Sequence, residues 1–108
     1  MSRQNALQLA SRFINIVKNK GIPVKKAFLF GSWAKGTADE NSDIDICVIS
    51  PVFGVDYTGE MAKLLTIAQK VDSRIESIPF NPKDMLDPYS SLASEIRATG
   101  VEVPAKSD

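Results

Sequence analysis

Seven residues, Asp43 to Ile49 (DIDICVI), constrain the fold more than any other stretch. Ile44, Ile46 and Val48 alternate with Asp43, Asp45 and Cys47. A period of two is the pattern of a strand with one apolar face and one different face. On the different face two carboxylates stand about 7 Å apart along the backbone. Adjacent like charges are unfavourable unless a cation sits between them. No basic residue lies in the segment, so a divalent metal is the expected partner. The fold must therefore bury one face of this strand and leave one end of the other face open. The chain has no histidine and one cysteine, Cys47. That excludes a Ser-His-Asp triad, a Cys-His pair and a histidine-held zinc, and leaves oxygen-held magnesium, manganese or calcium.

The flanking elements follow from similar arguments. Ala6, Leu9, Ala10, Phe13, Ile16 and Val17 recur at helical spacing, and Gly21 stands where a C-terminal cap is expected. Lys26 to Phe30 (KAFLF) reads as a buried strand. Gly31 to Ser42 is small, polar and turn-rich, with one helical turn at its start. Thr58 is the expected N-cap of a helix to about Asp72, with Met61, Leu64, Leu65, Ala68 and Val71 on its core face. Arg74 to Ile78 reads as a third strand stopped by Pro79, and Asn81 to Pro88 as loop. Asp87-Pro88 reads as a cap and first helical residue, opening a helix with Leu92, Ala93 and Ile96. Gly100 ends it, and Val101 and Val103 alternate around Glu102 as a last strand. The expected order is α-β-β-α-β-α-β. That predicts one domain over residues 1–108 of the mixed α/β (α+β) class, a small mixed sheet flanked by helices.

Net charge is zero but unevenly spread. The residues before Asp39 hold seven basic side chains and no acid, and the rest hold six basic and thirteen acidic ones. Such asymmetry marks either a charged-ligand site or a solvated helix. The acid-free first twenty residues resemble a mitochondrial transit peptide, but their apolar stripe reads as part of the fold. No apolar run approaches the roughly 20 residues that span a bilayer. A lone cysteine fits a reducing compartment, so the cytoplasm is the expected location and no membrane is expected. No basic cluster is interleaved with aromatics, so direct nucleic-acid binding is not expected.

The chemistry concentrates between Phe30 and Ile49. Gly31-Ser32 follows a strand, where glycine lets backbone approach a ligand and exposed N–H groups bind phosphate oxygens. The Ser32 hydroxyl adds a donor, and Lys35 would neutralise phosphate charge. A phosphate cradle and a metal-binding pair on consecutive strands are the parts needed for nucleotidyl transfer. Glu76, between apolar Ile75 and Ile78, is the candidate third acid. It would complete a metal site or polarise an attacking hydroxyl. Cys47 reads as a small core residue and Trp33 as a packing residue.

Gly31-Ser32, ten residues, then Asp43-x-Asp45 resembles the signature of the DNA-polymerase-β-like nucleotidyltransferase superfamily, in its minimal nucleotidyltransferase branch. At average composition, four such residues at fixed spacing arise by chance in roughly one chain of this length in a thousand. The resemblance implies a palm-like fold over nearly the whole chain. It implies that Asp43 and Asp45 bind two magnesium ions, with Glu76 as the third acid where many members carry Asp. It implies that Ser32, supported by Gly31, holds the triphosphate of ATP or another nucleoside triphosphate. The minimal branch commonly pairs with a small helical HEPN protein, in many cases an RNase toxin. Some members act as antitoxins by adding AMP to that partner. The resemblance therefore implies nucleotidyl transfer to a partner's hydroxyl. A catalytically inactive module that neutralises a helical partner stoichiometrically is the alternative.

Overall fold

The alternating segment becomes β2 (Ile44–Ile49), an inner strand of a four-stranded mixed sheet. The computed structural model describes residues 1–104. β1 (Lys26–Phe30) pairs antiparallel with β2, and β3 (Ile75–Phe80) pairs parallel with it. The two-residue β4 (Val101–Glu102) lies antiparallel on the far side of β1, so the order is β3-β2-β1-β4. The expected mixed sheet and element order are both present. Among the described residues, no helix is long and apolar enough to cross a membrane.

The alternation decides which side of the sheet each residue serves. Ile44, Ile46 and Val48 join Ala27 and Leu29 of β1 in the main core. That core is closed by Phe13, Ile14 and Val17 of α1 (Arg3–Asn19) and by Leu64, Ile67 and Ala68 of α3 (Tyr57–Gln69). Fully burying each large side chain contributes about 1.5–3 kcal/mol. Phe30, Cys47 and Ile49 form a second cluster with Ile96 of α4 (Ser91–Thr99). Cys47 is completely buried, and burial pushes its thiol up to about 12, so it packs as a small hydrophobe.

Several details differ from the expected pattern, each for a local reason. Asp43 lies just before β2 and is exposed, so only Asp45 sits within the strand. α3 is capped by Asp56, whose carboxylate accepts from the Gly59 N–H at 3.1 Å, two residues ahead of Thr58. It ends at Gln69, and Asp72 instead binds Arg74 at the start of β3. The α3 stripe is rotated accordingly: Ile67 is buried and Leu65 is 53% exposed. Pro79 continues β3 instead of stopping it. Ile44 N–H donates to Arg74 and Ser50 N–H to Phe80, so even-numbered residues of β3 face β2. Pro79 therefore points its missing N–H off the sheet edge, where it costs no ladder bond. Finally, Ser90 caps α4 by accepting from Ala93 N–H, while Asp87-Pro88 stays in the turn after a 3-10 segment (Asp84–Leu86).

Candidate active site

Strand pairing gathers the acidic residues. Asp45 lies opposite Phe30 of β1 on one side and Glu76 of β3 on the other. The C-terminal end of β1 thus meets the N-terminal ends of β2 and β3. Directly after Phe30, Gly31 takes φ 72° and ψ −151° and leads into the four-residue helical turn α2 (Ser32–Lys35). A Cβ on Gly31 would lie 2.2 Å from Asp45 Oδ2. Glycine is required here twice over, by the backbone angle and by the carboxylate pressed against it.

The electrostatics centre on Asp45, whose carboxyl is raised to about 6. Partial burial is the largest cause, followed by the charges of Glu76 and Asp43, a hydrogen bond with Glu76, and the charge of Glu95. A carboxylate crowded by three others favours a positive ligand. Among the described residues, no three acidic or thiol side chains close around one point as a complete metal cage. Magnesium suits such an arrangement, because it is held by one or two carboxylates and completes its shell with waters and substrate phosphates. Asp43 and Asp45 can supply those carboxylates, with Glu76 beside Asp45 across the parallel strand pair.

The phosphate-turn candidates are also brought to this end of the sheet. Gly31 and Ser32 are half-buried at its rim. Lys35, exposed, pairs with Glu95 at 3.3 Å. A cleft of about 460 Å³ lies alongside, walled by Phe30, Met61, Leu65, Ile75 and Ile78, with Asp45 and Glu76 in its lining. The rotation of α3 that exposes Leu65 is what opens this wall.

Two residues escaped the sequence reading. Glu95, on α4, accepts a hydrogen bond from Gly31 N–H at 3.2 Å. Its signal was an acid directly before buried Ile96. Arg3, in the first turn of α1, donates from Nε to the Trp33 carbonyl at 3.1 Å and from Nη2 to the Ala34 carbonyl at 2.8 Å. Its signal was a charge on the apolar stripe, three residues before Ala6 and seven before Ala10. Arg3 satisfies carbonyls at the end of α2 that so short a helix cannot satisfy itself. Arg3→Ala is expected to lower stability by about 1–2 kcal/mol in chemical denaturation. Arg3→Lys should restore less than half of that, because an ammonium cannot span both carbonyls in one plane.

Residues 10–89 match the family described as "Nucleotidyltransferase domain". No curated protein matches the chain in sequence. Several solved structures share its fold. A protein assigned as a nucleotidyltransferase from Sulfolobus solfataricus is 19% identical with a TM-score of 0.63, over 76% of this chain and 72% of that one. A toxin–antitoxin structure with AMP-PNP is 24% identical with a TM-score of 0.61, over 87% and 73%. A single-substitution variant of the toxin–antitoxin MntA–HpeT is 22% identical with a TM-score of 0.60, over 88% and 71%.

Proposed function

The chain belongs to the nucleotidyltransferase domain family, and from that premise we propose that it transfers AMP from ATP to a hydroxyl of a partner protein. The proposed partner is a helical toxin of the HEPN type, and the proposed role is that of antitoxin in the cytoplasm. The observation that carries the reading is the position of Asp45. Its carboxylate touches the phosphate-turn glycine on one side, and the parallel strand register sets it beside Glu76 on the other. The glycine of the proposed phosphate turn and a second acid are therefore both neighbours of Asp45. Two of the structural neighbours are toxin–antitoxin complexes, one with AMP-PNP, which supports the choice of nucleotide and of partner class.

The division of labour follows from the geometry. Gly31 N–H, the Ser32 hydroxyl and Lys35 Nζ bind the triphosphate oxygens and fix the α-phosphorus before the acidic residues. Asp43 and Asp45, with Glu76 beside them, would hold two Mg²⁺ ions, which neutralise charge on the phosphates and the attacking oxygen. The proposed acceptor of the attacking hydroxyl's proton is Glu76, which is more exposed than Asp45 and can pass the proton to solvent. The acceptor oxygen bonds to the α-phosphorus as the bond to pyrophosphate breaks. The apolar cleft beside Asp45 offers room for a planar base or an acceptor side chain.

Labelled ATP, Mg²⁺ and a co-purified HEPN-type partner test this directly. Label is expected on the partner with the wild-type chain and is expected to vanish with Asp43→Asn. No label in either case would remove the transfer reading. The alternative is a module that neutralises a helical partner stoichiometrically, without transfer. Full protection of the partner by Asp43→Asn/Asp45→Asn would decide in its favour.

A further inference from the structure

Glu95 is the one charged side chain at this site for which nucleotidyl transfer has no evident use. One of its oxygens, Oε2, accepts from Gly31 N–H at 3.2 Å and lies 3.3 Å from Lys35 Nζ. Those are two of the donors assigned above to the triphosphate. Glu95 is half-buried on a helix held by buried Ala93 and Ile96 and capped by Ser90, so α4 itself is fixed and the side chain is the movable part. A phosphate oxygen reaching the same donors would meet a carboxylate oxygen at contact distance. Two anions cannot share so few donors without repulsion.

We propose that Glu95 is an internal competitor for the nucleotide's phosphates: it holds Gly31 N–H and Lys35 until a triphosphate displaces it, and so sets nucleotide affinity. The proposal rests on the nucleotide reading of the site. It makes Glu95 a specificity residue that acts through the turn and Lys35. A weak phosphate anion does not displace the carboxylate, whereas a metal-loaded triphosphate, which brings its own cations to Asp43 and Asp45, does. A purely structural role, stapling α4 to the turn, predicts the reverse effect on binding. Glutamine separates the two, because its amide oxygen still accepts from both donors but carries no charge.

The experiment is calorimetric titration of the full chain with Mg²⁺ and a non-hydrolysable ATP analogue, repeated with tripolyphosphate. Wild type, Glu95→Gln and Glu95→Ala are compared, with thermal midpoints as a check on folding. Both variants are expected to bind about tenfold more tightly than wild type, which is about 1.4 kcal/mol. Competition by inorganic phosphate is expected to strengthen in the variants. Equal or weaker binding by both folded variants, with wild type binding, overturns the competitor role and leaves the nucleotide reading intact. Failure of all three proteins to bind either probe overturns the nucleotide reading and the competitor role together.

Discussion

Gly31→Ala is expected to abolish nucleotidyl transfer and to lower stability by about 2–4 kcal/mol. Two independent faults combine. The backbone at φ 72°, ψ −151° lies in a region that is essentially glycine's alone. The new methyl would also meet Asp45 Oδ2 at 2.2 Å. To relieve the contact, the turn or the carboxylate must move, and either movement separates phosphate donors from the acids. For a domain of this size the stability loss corresponds to a fall in melting temperature of roughly 10–20 °C. A double-mutant cycle divides the two faults. In an Asp45→Ala background the nearest remaining Asp45 atom, Cβ, stands at 3.5 Å, so only the backbone penalty persists. Additive effects in that cycle would show that the contact with Asp45 is unimportant.

Asp45→Asn should move activity and stability in opposite directions. The metal-binding charge is lost, so transfer should fall by at least about 10³-fold, which is ~4 kcal/mol of transition-state stabilisation. In the absence of divalent cations the variant should nevertheless be the more stable protein. Asp45 titrates near 6 when folded against 3.8 in the unfolded chain. A raised carboxyl is harmless while both states are protonated, below pH 3.8. Its cost accumulates as pH climbs from 3.8 to about 6 and is complete above that. Because the side chain is half-exposed, solvent screening reduces the gain from removing the charge to about 1 kcal/mol at pH 7.5. The asparagine amide also keeps a donor for Glu76. The wild-type melting temperature should therefore drop between about pH 4 and pH 6 without metal, and recover at pH 7 when Mg²⁺ is added, whereas Asp45→Asn should do neither. A wild-type profile flat in both tests would contradict the electrostatic account.

What could be read in the sequence was whatever lay close along the chain. Gly31-Ser32 and Asp43-x-Asp45 are local patterns, and the period of two around them gave the correct buried face of β2. Glu76 stood out as an acid flanked by Ile75 and Ile78, but the structure leaves it exposed, so burial cost was not the reason for its presence. The parallel register that sets it beside Asp45 was not legible. Glu95 and Arg3 were missed because their meaning is tertiary: they lie 64 and 30 residues from the backbone groups they hold. Pro79 was read as a stop because its tolerance depends on β3 being an edge strand, which only the strand order reveals. Asp87-Pro88 and Thr58 were credible caps that lost to Ser90 and Asp56, neighbours with equal or better cap chemistry. Leu65 carried the right spacing for the core, yet the helix turns it toward the cleft.

The outward-facing Pro79 also bears on how the protein behaves in a crowd of its own copies. Along the free margin of β3, the Ile75 N–H is already spent on Asp72. Pro79 has none to give. Ser77 is left as the lone outward donor of that strand, and the opposite margin, β4, is two residues long. A second chain seeking to extend the sheet finds too few rungs on either side. Ribbon-like polymerisation is thereby discouraged by main-chain arithmetic.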